Sequence, residues 1–136
     1  MRGGTANCIT IVSDGMISSP IISRFDTVVA LNQPSVEKFE EKVKPGGVII
    51  YDSSNIINPP TRADIKIYGI PASEEALKLK NMKVMNMVVL GSFVKAKGTV
   101  SPKTIEKALY KALPERHHKM IPLNLQALEV GMGLIK

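Results

Sequence analysis

The sequence predicts a layered α/β domain, with helices packed on a mixed, mostly parallel sheet of four to five short strands. Three observations point there. Short apolar runs rich in β-branched residues recur through the first half of the 136 residues. The second half carries helical periodicity punctuated by start and stop residues. Between them a strand, a helix and a second strand fit into roughly 25 residues, a βαβ unit that implies parallel pairing and a right-handed crossover.

The first run covers residues 6–12, with Ile9, Thr10, Ile11 and Val12 favouring a strand. Asp14-Gly15 after it is a hairpin signal, because both residue types tolerate positive φ. Residues 16–22 then return as an edge strand, the place where Pro20 and its missing donor are tolerated. Residues 27–31 read as a short buried strand. A helix with Val36, Phe39 and Val43 on its apolar face follows, ended by Lys44-Pro45-Gly46-Gly47. Residues 48–51 form the next strand and residues 53–63 a loop around Asn58-Pro59-Pro60. Residues 64–70 alternate Ile65, Ile67 and Ile70 with polar neighbours, predicting one wetter face. Ser73 is placed to cap a helix through Leu79, with Glu74 and Glu75 in its first turn. Residues 87–97 make an apolar helix stopped by Gly98. Ser101-Pro102 opens another, with Ile105, Leu109 and Ala112 as its stripe. The last runs over residues 120–130, presents Ile121, Leu125 and Leu128, and stops at Gly131.

Composition excludes several classes. With 44% hydrophobic and 22% charged residues the chain is neither a disordered tail nor a collagen or coiled coil. Charge-free stretches such as residues 6–13 and 85–94 fall short of the ~20 residues that cross a bilayer, and no secretory signal is visible. One cysteine, Cys8, precludes an internal disulfide, an iron–sulfur cluster or a structural zinc site built from this chain alone. His117 and His118 are adjacent and would diverge on a helix, a poor metal pair. The net charge is +6, but residues 1–77 carry 7 basic and 9 acidic side chains while residues 78–136 carry 11 and 3. That asymmetry suits either an acidic partner or a solvated lysine face. Nucleic acid is disfavoured: there is no tryptophan, aromatics are 4%, and no basic run is interleaved with Phe or Tyr.

No P-loop, dinucleotide glycine fingerprint, Gly-x-Ser-x-Gly elbow or His-Glu-x-x-His pattern occurs, and no catalytic triad assembles around the histidines. Arg2-Gly3-Gly4-Thr5 is the best binding candidate. Its glycines let backbone amides approach an anion that the guanidinium can grip, the alternative being a flexible tail. Asn32-Gln33 follows a buried strand and precedes a helix, where ligands bind in open α/β sheets. The same residues also suit a plain Asx turn capping that helix. Asn86 reads as a cap, and Met82, Met85 and Met87 as adaptable packing at a subunit interface.

Taken in order, several motifs resemble one family. They are residues 1–8 (Arg2-Gly3-Gly4-Thr5 among them), Ser18-Ser19-Pro20, residues 30–35, Lys44-Pro45-Gly46-Gly47, Asp52-Ser53-Ser54, Ile70-Pro71-Ala72, residues 86–91, and residues 123–128 with Gly131. The family is the gamma subunit of 2-oxoacid:ferredoxin oxidoreductases, the pyruvate/ketoisovalerate oxidoreductase catalytic domain. Members usually begin some tens of residues earlier with a strand, a Gly-Gly-Gln-Gly-type turn and a helix. Against them this sequence is N-terminally truncated: a fragment, a late start, or a domain whose missing part another polypeptide supplies. The resemblance implies one gamma-type domain over residues 1–136 in an assembly that oxidatively decarboxylates a 2-oxoacid, transfers the acyl group to coenzyme A and reduces ferredoxin. The Arg-Gly-Gly wording favours 2-oxoglutarate or branched-chain substrates over pyruvate. Thiamine diphosphate, magnesium and iron–sulfur clusters are then expected in alpha, beta and delta-type partner subunits. Ferredoxin is reached through the complex. This chain is then expected to hold no cofactor, to have no catalytic or metal residue, and to line the coenzyme A approach through Arg2, Gly3, Gly4, Thr5, Asn32 and Gln33. In isolation it is expected to be a cytoplasmic homo-oligomer that binds neither membrane nor nucleic acid. The competing expectation is a stand-alone anion- or nucleic-acid-binding α/β module.

Overall fold

The computed structural model describes residues 6–136. Among them one sheet forms, from β1 (Phe25–Ala30), β2 (Val43–Asp52) and β3 (Lys66–Ile70), all parallel and ordered β1-β2-β3. The expectation of four to five strands in a mixed sheet is therefore corrected to three parallel ones. The difference lies in residues 6–24. Residues 6–12 have the composition of a strand but no ladder partner, and a strand without one leaves its backbone groups unpaired. The Asp14-Gly15 hairpin is absent too. Neither residue adopts the positive φ that its turn requires, and the Gly15 amide instead donates to Ser13 Oγ at 3.1 Å.

From β1 the chain turns into α1 (Gln33–Phe39), continues as a 3-10 turn (Glu40–Lys42) and enters β2. Lys44-Pro45-Gly46-Gly47, expected to end the helix, lies inside β2 as a bulge. Phe25 pairs with Val43, yet Thr27 already pairs with Val48, so three extra residues are looped out, with Gly46 at φ +79°. Val43 accordingly belongs to β2 and is fully buried.

The β2-to-β3 crossover, residues 53–65, contains no helix. Ile56 and Ile65 are buried beneath the sheet in place of a helical stripe, beside Val36 of α1 and Ile49 of β2. Arg62 ties the crossover down. It donates to the Glu40 and Val43 carbonyls (2.8 and 2.7 Å) and grips Asp64 with two guanidinium nitrogens. Glu40 Oε1 accepts the Thr61 and Arg62 amides in return.

The opposite face carries α2 (Ala72–Lys78), α3 (Met85–Lys97) and α5 (Ile121–Gly133), closing the main core on Ile50 and Ile70. α3 and α5 cross at glycines: a Cβ on Gly91 would land on the Leu128 carbonyl, and one on Gly131 on the Val88 carbonyl. Ser92, fully buried, has its hydroxyl 3.0 Å from the Gly131 carbonyl and 3.2 Å from that of Val88. Gly131 therefore does not stop the last helix, as its type suggested, but lets two backbones touch. Gly98, left-handed at φ 64°, does stop α3, and Ser101 caps α4 (Pro102–Ala112) by accepting the Thr104 amide. α4 buries no residue fully. Ile105 and Leu109 rest against the main core, while Ala112 is exposed rather than part of the stripe. No helix among the described residues is long and apolar enough to cross a membrane.

Candidate functional site

In a parallel sheet the loops after the carboxyl ends of the strands form the crevice where ligands bind. Here that edge carries Leu31-Asn32-Gln33 after β1, Asp52-Ser53-Ser54-Asn55 after β2 and Pro71-Ala72-Ser73 after β3.

Beside β1 lies a cleft of about 490 Å³. One wall is formed by residues 6–10, the other by β1, with Asn32, Ser35 and Phe39 at the helical end. Cys8 is its single titratable side chain, so the cleft can bind and orient but offers no acid–base pair. Asn32 sits at its rim. Its Oδ1 accepts the Ser35 amide at 2.9 Å and so caps α1, which leaves the Nδ2 group outside that bond. Gln33 is the first residue of α1 and does not face the cleft. Its side-chain amide exchanges two hydrogen bonds with the Asn58 backbone (3.0 and 2.9 Å), clamping the crossover onto α1. Of the sequence candidates, Asn32 therefore lines the cleft and Gln33 serves as a brace. Arg2, Gly3, Gly4 and Thr5 lie outside the described residues.

The second constellation was not singled out as a site by the sequence. Asp52 ends β2 with 1% of its surface exposed and every acceptor direction used. Oδ2 receives the Ser73 hydroxyl at 2.5 Å and Asn55 Nδ2 at 2.9 Å, and Oδ1 receives the Ser54 amide at 3.1 Å and the Ser73 amide at 3.4 Å. Burial by itself would push this carboxyl up. The Ser73 hydroxyl, then the Ser54 and Ser73 amides, outweigh it and hold the group below the usual 3.8. Ser73, expected to cap α2, is instead inside that helix. The residue at the cap position is Pro71, and Asp52 supplies the missing acceptor from the neighbouring strand. The available signal was an aspartate closing an apolar run and followed by small polar residues.

Asn86 is likewise not a cap. α3 starts at Met85 and is preceded by a 3-10 turn (Met82–Val84) that Asn81 caps by accepting the Lys83 amide. Of the methionines, Met87 is buried, Met85 packs on the core beside the Ser73 hydroxyl, and Met82 is exposed. His118 reaches the Leu113 carbonyl at 2.8 Å and meets the Tyr110 ring edge-on, while His117 accepts from Arg116 Nε. His118 thus braces the turn between α4 and α5, while the His117 side chain is exposed and bonds its sequence neighbour. Among the described residues no three His, Cys, Asp or Glu side chains converge to hold a metal ion.

This geometry has known counterparts. The chain is 33% identical over 130 residues to the ketoisovalerate oxidoreductase subunit VorA of Methanothermobacter thermautotrophicus, covering 96% of this chain and 27% of that protein. It is 31% identical over 140 residues to the 2-oxoglutarate synthase subunit KorC of Methanocaldococcus jannaschii, covering 99% of this chain and 72% of that one. Among solved structures, the keto/oxoacid ferredoxin oxidoreductase gamma subunit from Geobacter sulfurreducens superposes with a TM-score of 0.70 at 26% identity, covering 80% of this chain and 63% of that one. The 2-oxoglutarate:ferredoxin oxidoreductase from Magnetococcus marinus, with 2-oxoglutarate, coenzyme A and succinyl-CoA bound, does so at 0.71 and 28%, covering 81% and 19%. The chain thus spans about a quarter of the VorA subunit and under two-thirds of the Geobacter subunit. A family model described as pyruvate ferredoxin/flavodoxin oxidoreductase matches residues 1–134, and this chain belongs to that family.

Proposed function

We propose that this chain is the gamma-type subunit, a single domain over residues 1–136, of a multi-subunit 2-oxoacid:ferredoxin oxidoreductase acting on 2-oxoglutarate or a branched-chain 2-oxoacid. In that reaction the 2-oxoacid loses its carboxylate as carbon dioxide. The electron pair left on the acyl carbon passes to ferredoxin, and the acyl group bonds to the coenzyme A sulfur as its proton departs. The observation that carries the reading is the end-to-end match to KorC, 99% of this chain.

The role assigned to this chain is structural and positional. A cluster of iron and sulfur needs several thiolates, and Cys8 is the one cysteine. Magnesium needs free oxygen donors, and the oxygens of Asp52 are committed to Ser73, Asn55 and Ser54. Among the described residues no three His, Cys, Asp or Glu side chains converge on one point, and in this reading the clusters, magnesium and thiamine diphosphate are held by alpha, beta and delta-type partners in the cytoplasm. What this chain offers is the crevice edge at Asn32 and, from its sequence, the Arg2-Gly3-Gly4-Thr5 motif. A guanidinium and glycine amides suit the phosphates of coenzyme A. Gln33 contributes indirectly, by fixing α1 and its Asn32 cap.

The test is reconstitution with alpha and beta partners. The chain alone should show no turnover, and the assembly should reduce ferredoxin with a 2-oxoacid and coenzyme A. In that assembly Arg2→Ala should raise the KM for coenzyme A about tenfold or more, the order of one lost charge-assisted contact, with the KM for the 2-oxoacid unchanged. Equal effects on both substrates, or on neither, remove the coenzyme A role. Binding of RNA by the free chain with a steep loss in salt would favour the stand-alone module instead.

A further inference from the structure

Unlike α1, α2, α3 and α5, helix α4 buries no residue, and it rests on the main core through Ile105 and Leu109. At about 100° of turn per residue, Lys103, Lys107 and Lys111 centre on the side of α4 opposite that stripe. All three are exposed. Four helical residues rise about 6 Å, so the lysines form a regular row along the outer face. Like charges four residues apart destabilise a helix, and a face that merely meets water gains by alternating them with glutamate. Glu106, the one acid of α4, lies off the row and pairs with none of its lysines among the described residues. The surrounding chain adds to the charge: residues 95–119 carry 7 basic and 2 acidic side chains. No lysine of that stretch is in an ion pair among the described residues.

We propose that this row is a docking face for an acidic helix of a separate protein, bound reversibly. Carboxylates four residues apart on such a helix have the same repeat, so each lysine meets one. Lysine is depleted from the desolvated centres of permanent interfaces, whereas exposed charges act mainly on the rate of encounter. A second copy of this chain is a poor occupant, because its acids are largely engaged. Asp26, Asp64 and Glu75 are in ion pairs, and Asp52 and Glu40 accept internal hydrogen bonds. A membrane surface is disfavoured too, since the apolar stripe of α4 faces the core and leaves nothing to insert. For a nucleic acid the row lacks a stacking platform: Tyr110 is the one aromatic of α4, and its ring is set edge-on to His118. The proposal stands apart from the coenzyme A reading, since α4 belongs to the helical layer and not to the Asn32 edge.

The test titrates the full chain with a labelled, alanine-based helical peptide carrying glutamates four residues apart on one face. The same composition scrambled around the helix is the comparison. Fluorescence anisotropy should show the row-bearing peptide binding about threefold tighter or better, with affinity falling between about 0.02 and 0.3 M salt. Amide shifts on binding should centre on residues 103–111. Lys107→Glu with Lys111→Glu should weaken binding about tenfold. Arg24→Glu with Lys66→Glu removes the same charge from exposed positions beside and within the sheet, and should cost about twofold at most. If the lysine reversal disturbs the fold, Lys107→Gln with Lys111→Gln keeps helix propensity and should still weaken binding about threefold. Equal binding of the two peptides, equal loss in both charge-matched variants, or shifts away from α4 overturns the proposal. So does tighter binding of a uridine oligonucleotide or of phosphatidylserine vesicles, or self-association of the chain through α4. None of these measurements uses the assembled oxidoreductase, so failure of the docking face and failure of the functional reading are told apart.

Discussion

Replacing Gly131 by alanine isolates the contact on which the helical layer depends. In a helix with open space around it, the change would stabilise by about 1 kcal/mol, because alanine has the higher helix propensity. At Gly131 the new methyl meets backbone, not a side chain that can swing away: the Val88 carbonyl lies in its place, with the carbonyl carbon at 2.7 Å and Cα at 3.0 Å. α3 and α5 must part to admit it, an overpacking cost of about 3 kcal/mol. Parting them also lengthens the Ser92-to-Gly131 hydrogen bond, a further loss of about 1 kcal/mol. The net destabilisation is then about 3 kcal/mol, or roughly a 12 °C fall in Tm for a chain of this size. Gly133→Ala is the internal control. That glycine ends the same helix with nothing within 4 Å of the would-be Cβ, so the variant should be neutral or slightly more stable. Thermal melts followed by circular dichroism compare the two. A Gly131→Ala protein melting at or above the wild type would refute the close crossing. Gly91→Ala should behave like Gly131→Ala, and the double variant should lose less than the sum, since the helices need part only once.

Asp52 should make stability depend on acid. Its folded pKa lies below the unfolded value of 3.8, so its contribution is complete above that value and is lost as pH falls through the lower folded one. Melts between pH 2 and 5 should show a slope that Asp52→Asn removes, an unchanged slope counting against the cluster. Asn32→Ala should cost about 1 kcal/mol through the lost cap. Asn32→Asp keeps the acceptor and should retain stability, while weakening coenzyme A use in the assembly if the freed amide touches it; denaturant titration paired with KM measurements separates the two effects. Gln33→Ala should release the crossover from α1, read as faster tryptic cleavage after Arg62 with little change in Tm.

What could be read without coordinates follows a physical divide. Signals confined to a few neighbouring residues were legible: the Ser101-Pro102 start of α4, the Gly98 stop of α3, the apolar runs that became β1 and β2, and the βαβ order between them. At the candidate site, Asn32 was legible for the same reason, as a polar residue between a strand and a helix. Signals whose meaning depends on a distant partner misled. Lys44-Pro45-Gly46-Gly47 has the composition of a helix stop, yet becomes a bulge because β1 pairs on either side of it. Ser73 has the composition of a cap, yet donates to a carboxylate brought in from 21 residues away.

By itself, then, the amino-acid order determined class, parallel connectivity and the scarcity of thiolate and imidazole groups, since each of these depends on residue type and spacing along the chain. Tertiary structure alone decided that Gly131 is a contact and not a terminus, that Asp52 caps a helix it does not belong to, and that residues 6–12 form no strand. A helix closes its hydrogen bonds within itself, so its rules are local. A strand needs a neighbour, and residues 6–12 have none among the described residues.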